Sequence, residues 1–200
     1  MNKRVLLTLA TALAAAPFIV SGVARAASPT PKPTPAPTLN VLSNNYFSNA
    51  NTAEAPCGQV RIVNNSGSSL CANIYVTDPY QEMSECCSCP LSDKSTRTLN
   101  INGDLTGNPG TGVTLTTGSI AIVSSDGVTC GDPAKAKPAP ELSAWATHPQ
   151  TAELLTETEF TPVPLAAAAL KDLQSECAAL ELIGSGHGIC TCGTGEFPPT

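Results

Sequence analysis

Cysteine is the residue type with the most chemical potential in this 200-residue sequence, which contains nine of them. Cys86, Cys87 and Cys89 fall within one short stretch that ends at Pro90. Thiols placed so closely form disulfides in an oxidising compartment, whereas in a reducing compartment they favour a metal site. The compartment that the chain reaches therefore decides which chemistry the stretch supports.

Disulfides are the first interpretation of the cysteine pattern. On a strand, Cys87 and Cys89 would face one side and Cys86 the other, so they need partners in different places. A bond between Cys86 and Cys87 is not expected, because it would close a strained ring that fits a strand poorly. An odd count leaves at least one cysteine unpaired, and Cys57, at the edge of the expected domain, is the candidate free thiol. The eight disulfide candidates, whose pairing stays open, are Cys71, Cys86, Cys87, Cys89, Cys130, Cys177, Cys190 and Cys192.

A zinc or copper(I) site is the alternative interpretation of the same residues. Thiolate and imidazole are ligands that suit these ions. The sequence lacks paired Cys-x-x-Cys knuckles at structural-zinc spacing, so we expect neither a metal nor another cofactor. The Cys86-x-x-Cys89 motif also fits thiol redox chemistry, but no following helix is predicted that would lower a thiol pKa. The metal ligands would come from Cys86, Cys87, Cys89, Cys190 and Cys192, with His148 and His187.

Catalytic patterns are weaker than the cysteine pattern. Ser185 and His187 lie close together in a glycine-rich stretch, but the stretch is not a nucleophile elbow, so a secreted hydrolase is the least favoured alternative. Glu153, Glu157 and Glu159 would supply an acid and a base for glycoside chemistry, although acids at this density usually form a solvated surface. The sequence therefore predicts a non-enzymatic protein.

The first 26 residues have the pattern of a secretory signal peptide. Lys3 and Arg4 precede an apolar stretch from Val5 to Val20, and Ala24-Arg25-Ala26 supplies the small-x-small cleavage pattern. We expect cleavage before Ala27 and only a transient membrane contact through this leader. Export would place the protein in the periplasm, on the cell surface or outside the cell, where disulfides are favoured.

The expected mature chain is acidic. Loss of Lys3, Arg4 and Arg25 with the leader changes the formal net charge from −6 to −9. Nucleic acid is therefore not expected as a partner, because its phosphates require a basic face. Aromatic residues make up only 4% of the chain, so the core must be aliphatic and disulfides would contribute much of its stability.

Composition divides the chain into four segments. They are the signal peptide 1–26, a Pro- and Asn-rich spacer 27–56 that is expected to be largely disordered, a cysteine-rich domain 57–193 and a flexible tail 194–200. Alternate prolines from Pro29 to Pro37 favour extended polyproline conformation in the spacer. The proline-rich stretch from Asp132 to Pro140 is interpreted as a long exposed loop inside the domain.

Short alternating runs predict an antiparallel β-sandwich. Two runs, one from Gln59 and one from Cys71 to Thr77, flank a turn at 64–68 and have the signature of a hairpin. A third strand is predicted over 81–91, where it carries the cysteine cluster. Further strands are expected around Leu99 and Ile101 and over 113–116, 119–123 and 142–147.

An amphipathic helix is predicted from about Pro164 to Ile183. Its apolar stripe is formed by residues three or four positions apart, with Gly184 as the C-terminal cap. Cys177 on this stripe would reach the sheet or the following loop. The helix is expected to cover Trp145; the alternative is that Trp145 is an exposed binding aromatic. The stripe consists of Leu170, Leu173, Cys177, Leu180 and Ile183.

Four stretches of the sequence resemble a family of uncharacterised exported cysteine-rich proteins from environmental bacteria. They are residues 71–78, 81–90, 156–161 and 184–190, and the likeness extends over about 59–192. The resemblance implies export and this domain extent, and the family has no assigned activity. Together with the residue patterns, it predicts an exported structural or binding module whose partner is a protein or a surface ligand.

Overall fold

The computed structural model describes residues 40–126, 130–139, 142–149 and 154–193. The fold is mainly β, with two antiparallel sheets and one C-terminal helix, which confirms the predicted class. The signal peptide, the proline-rich part of the spacer and the tail 194–200 lie outside the described residues. The strands are β1 Asn40–Phe47, β2 Gln59–Asn64, β3 Leu70–Thr77, β4 Met83–Leu91, β5 Thr96–Asn100, β6 Gly118–Asp126, β7 Leu142–Pro149, β8 Leu155–Glu159 and β9 Pro162–Pro164.

The strands form two sheets, which we call sheet A and sheet B. Sheet A has the order β4-β3-β6-β1-β9, and sheet B has the order β5-β2-β7-β8. One face of each sheet contributes to a shared aliphatic core, in which Val60 and Ile62 of sheet B and Ile74 and Ile122 of sheet A are fully buried. The period of two in strands places these alternate residues on the inner faces.

The predicted hairpin between the first two runs is wrong. β2 pairs with β5 and β7 in sheet B, whereas β3 pairs with β4 and β6 in sheet A. The intervening turn crosses between sheets, and the buried Asn64 holds this crossing. Its amide nitrogen donates to the carbonyls of Ser68 at 2.8 Å and Ser92 at 3.0 Å, and its Oδ1 accepts from the Ser66 hydroxyl at 2.7 Å.

The sheet begins earlier than the sequence predicts. The domain was expected to start at Cys57 after a spacer over 27–56, but β1 pairs with both β6 and β9 inside sheet A. Phe47 at the end of β1 is buried in the core. Long-range pairing supplies backbone partners that the polar, Asn-rich sequence of this segment does not indicate.

Several other strand predictions need correction. Residues 113–116 form no strand, the third strand begins at Met83 rather than at 81, and β8 and β9 were not predicted. The run around Leu99 and Ile101 divides into β5 and a π-helical turn, Ile101–Leu105. The Ile101 amide donates to the carbonyl of Gly58 at 2.9 Å, and the Asn100 side chain caps the turn by accepting from the Gly103 amide at 3.0 Å.

The C-terminal helix, α1, spans Ala167–Leu182 and packs on the outer face of sheet A. Pro164 belongs to β9 instead of the first helical turn, and Ile183, expected on the buried stripe, is 56% exposed. Gly184 follows with a φ of 68°, the left-handed conformation that ends many helices. Within the described residues, no helix is long and apolar enough to cross a membrane.

The predicted exposed loop at 132–140 is instead packed against sheet A over its described part. A 3₁₀ turn at Pro133–Lys135 buries Pro133, whose carbonyl accepts a hydrogen bond from the Tyr75 hydroxyl at 2.8 Å. The Gln174 side chain of α1 donates to the carbonyl of Ala136 at 2.8 Å. The segment is therefore part of the cover over sheet A.

Candidate functional site

Eight of the nine cysteines form four disulfides. They are Cys71–Cys130, Cys86–Cys177, Cys87–Cys190 and Cys89–Cys192, with Cα–Cα distances of 5.5, 5.8, 5.2 and 5.3 Å. These distances lie inside the range that an unstrained bridge requires. Each bond joins a strand of sheet A to a segment outside the strands, so the disulfides attach connecting chain to the sheet.

The cysteine stretch of β4 divides between the two faces of sheet A, as its alternation predicts. Cys86 points outward to Cys177 of α1, whereas Cys87 and Cys89 lie in the core and reach Cys190 and Cys192. Cys86 and Cys87 are not bonded to each other.

The segment 188–192 runs along the free edge of β4. The Cys86 amide donates to the carbonyl of Gly188 at 2.8 Å, and the Cys190 amide donates to the carbonyl of Cys86 at 3.2 Å. Gly188 has a φ of 85°, and a Cβ there would meet Leu180 of α1 at 3.1 Å, so only glycine suits this close approach. The segment closes an edge that would otherwise be open to pairing.

The residues of the metal interpretation do not assemble as a set of free ligands. Among the described residues, three close ligating atoms are the sulfurs of Cys87, Cys89 and Cys192, all within 4.8 Å, and neither histidine joins them. All three sulfurs are in disulfides, and a metal ligand must be a thiolate.

Cys57 is the free cysteine and is half-buried. Its thiol donates to the side-chain oxygen of Asn100 at 2.8 Å, the same oxygen that caps the π-helical turn. This contact fixes the thiol within the end of sheet B.

The candidate catalytic residues stay apart or engage in local contacts. The backbone amide of His187, not its imidazole, donates to the Ser185 hydroxyl at 3.3 Å, which is a local turn rather than a nucleophile–base pair. Glu157 and Glu159 are exposed on β8, and Glu157 pairs with Arg61 at 3.1 Å. Glu153 lies outside the described residues.

His148, one residue beyond the predicted strand over 142–147, is buried on β7. Its Nε2 lies 2.7 Å from the Thr158 hydroxyl, and the Tyr46 ring stacks on the imidazole at 4.3 Å. The same hydroxyl accepts from Asn45 of sheet A at 2.9 Å. Burial lowers the pKa of His148, which favours a neutral imidazole that links the two sheets.

Glu85 is a buried carboxyl that sequence reasoning missed. Its Oε1 accepts from the Asn108 amide at 2.8 Å, and its Oε2 has no hydrogen-bond partner among the described residues. Burial raises the pKa of Glu85 to about 7, although the bond from Asn108 opposes the shift. Glu85 shares the parity of Cys87 and Cys89 on β4, and that signal would have indicated an inward side chain.

Trp145 is not covered by α1, because the helix lies on sheet A. Its side chain is half-buried on the outer face of sheet B, in a cross-strand row with Arg61 and Thr98 on one side and Glu159 on the other. We call this outer face, made by alternate residues of β2, β5, β7 and β8, the open face. Its described residues are half-buried or exposed, except Pro149 at the end of β7, which is buried.

Comparison with protein-family models, with curated proteins and with solved structures finds no match for this chain. The resemblance to exported cysteine-rich proteins therefore stays a prediction. Function has to be argued from the residues and their geometry.

Proposed function

We propose that the protein is an exported, non-enzymatic binding module that presents the open face of sheet B to a ligand outside the cytoplasm. The observation that carries the proposal is the position of Trp145, half-buried near the centre of an outer face on which every described residue except Pro149 keeps contact with water. A large aromatic ring held in partial contact with water is a frequent anchor for binding.

The disulfide framework supports both export and the binding role. Four disulfides are typical of proteins that fold in an oxidising compartment, and the predicted signal peptide would deliver the chain to one. Chain held by disulfides covers the other sheet, so the open face belongs to a cross-linked scaffold. A preorganised surface loses less conformational entropy when it binds.

The test is sedimentation of the purified exported protein with envelope material from the producing cells. We expect binding, and we expect Trp145→Ala to weaken it at least tenfold. Tyr80→Ala is the matched control, because Tyr80 is an aromatic residue that is 86% exposed outside sheet B. An absence of binding, or an equal loss in both variants, would contradict the proposal.

Metal binding is the second candidate, and the close sulfurs of Cys87, Cys89 and Cys192 favour it. The site would form only after the bridges to Cys190 and Cys192 are reduced, when thiolates become available for zinc or copper(I). Thiol counting and metal analysis of freshly exported protein decide between the two candidates.

A further inference from the structure

We propose that the open face binds a neutral polysaccharide, an inference that rests on the proposed binding function and names its ligand class. Three properties of the face point to this ligand: its single described aromatic ring, the chemistry of the residues around that ring, and its exposed edge at β8. Each property restricts the partner that the face would accept.

Trp145 supplies an apolar surface at the centre of the face. Its neighbours in the cross-strand row are Arg61 and Glu159, and Thr98 follows on the far side of Arg61. Neighbouring strands lie about 4.8 Å apart, so this row spans roughly 14 Å. A sugar ring has an apolar face of C–H groups that stacks on an aromatic ring, while its hydroxyls extend sideways to groups in the same plane.

Uncharged hydrogen-bonding side chains occupy six of the thirteen described positions of the face. They offer hydroxyl and amide groups that both donate and accept, as sugar hydroxyls do. Apart from Trp145, the apolar side chains of the face are Val63, Pro149 and Leu155, which lie in its two end rows, whereas protein interfaces are most apolar at their centres. The face therefore favours a polyhydroxylated ligand over a protein. The six uncharged hydrogen-bonding side chains are Gln59, Thr96, Thr98, Asn100, Ser143 and Thr147.

The few charges on the face give a strongly charged polymer little to bind. Arg61 is the face's described cation, and it is paired with Glu157 at 3.1 Å, which leaves Glu159 as an unpaired acid. An acidic polysaccharide would meet net negative charge, and a basic polymer would find only one uncompensated carboxylate. A neutral polysaccharide is not repelled by the face and needs no further charged side chains for binding.

The exposed edge of the open face favours a polymer over a small molecule. Small ligands are usually enclosed by a concave site that buries most of their surface. The open face ends at β8, an edge strand whose five residues are all exposed, so a long chain would cross the face and continue past its edge. A polymer also gains affinity from several weak contacts along its length.

The experiment uses the exported protein, whose single tryptophan makes intrinsic fluorescence specific for this site. Insoluble cellulose, chitin and starch are tested by sedimentation, and short soluble oligosaccharides of each by fluorescence titration. We expect at least one of these glycans to bind and to shift the Trp145 emission. Trp145→Ala should lose binding at least tenfold, Trp145→Phe should keep part of it, and Tyr80→Ala should leave it unchanged.

Several outcomes would overturn the inference, and they are separable from failure of the proposed function. If Trp145-dependent binding to envelope material is abolished by protease treatment of that material and no glycan binds, the partner is a protein and only the glycan inference fails. Glycan binding without a fluorescence change, or with full retention in Trp145→Ala, would place the ligand elsewhere. The native-protein titration needs no variant, so it decides the matter even if a variant fails to fold.

Discussion

The outer faces of the two sheets differ in both cover and chemistry. The outer face of sheet A carries apolar residues, among them Tyr75, Ala121 and Val123, and these are buried under α1. The open face of sheet B carries Arg61, Trp145 and polar neighbours that all keep contact with water. One sheet therefore uses its outer face for stability, and the other leaves its outer face available for a partner.

The disulfides follow the same division. Every bonded cysteine lies on a strand of sheet A or on a segment attached to that sheet, and no strand of sheet B contains a cysteine. The covering helix packs apolar side chains such as Leu180 on sheet A, and the disulfide Cys86–Cys177 adds a covalent bond to that contact. Covalent cross-links are therefore confined to sheet A and the segments attached to it, and the proposed ligand surface lies on sheet B.

Reduction should have the largest effect. Each native disulfide contributes about 2–4 kcal/mol, and four together are comparable to the whole stability of a typical domain. We therefore expect a dithiol reductant to unfold the protein or lower its Tm sharply, as followed by circular dichroism. EDTA should leave the Tm unchanged, because no bound ion is expected to contribute to stability.

Thiol labelling supplies the control for this experiment. Alkylation of the unfolded, non-reduced protein should label one thiol, that of Cys57. Labelling of six or more thiols in freshly exported protein, together with stoichiometric metal, would instead support the metal-binding alternative.

Removing one disulfide from the covered face should lower the free energy of unfolding more than a substitution on the open face does. The double variant Cys86→Ala/Cys177→Ala detaches α1 from β4 and should lower the free energy of unfolding by about 2–4 kcal/mol in urea titrations. Thr98→Ala on the open face is the control and should change it by no more than about 0.5 kcal/mol. Equal losses in the two proteins would mean that the outer faces do not differ in their contribution to stability.

Local periodicity was enough to predict much of the fold. The alternation along β4 separated Cys86 from Cys87 and Cys89, and the change of period after residue 164 indicated α1. Both signals depend on which side of an element a residue occupies, and that is fixed by backbone geometry alone. The same parity places Glu85 on the inner side of β4 with Cys87 and Cys89.

Long-range pairing could not be read from the same patterns. The turn after Asn64 has a composition that suits both a hairpin and a crossing between sheets. The two are distinguished by long-range pairing, which places β2 and β3 in different sheets. Trp145 was expected under α1 because the sequence does not say which sheet the helix covers. The partners of Cys87 and Cys89 lie 103 residues away, beyond any local signal.

The smallest expected effect is on the pH dependence of stability, and it distinguishes a carboxyl buried in sheet A from one exposed on sheet B. Burial raises the pKa of Glu85 from 4.5 to about 7, so between these pH values the folded protein keeps a proton that the unfolded chain releases. The free energy of unfolding should therefore fall as the pH rises through this window, by roughly 2–3 kcal/mol. Glu85→Gln removes the ionisation and keeps the carbonyl that accepts from the Asn108 amide.

We expect Glu85→Gln to be more stable than the native protein at pH 8 and to lose most of this decline between pH 4.5 and 7 in urea titrations. Glu159→Gln on the open face should keep the native pH dependence, because its carboxyl is exposed.

Burial lowers the pKa of His148, so its contribution has the opposite sign and is lost as the pH falls below about 6.5. Native protein and variants share that contribution, so the difference between Glu85→Gln and the native protein isolates Glu85. If Glu85→Gln kept the full pH dependence of the native free energy of unfolding, Glu85 would ionise as freely as the exposed carboxyls of sheet B. The two sheets would then not differ in the electrostatics of their carboxyls.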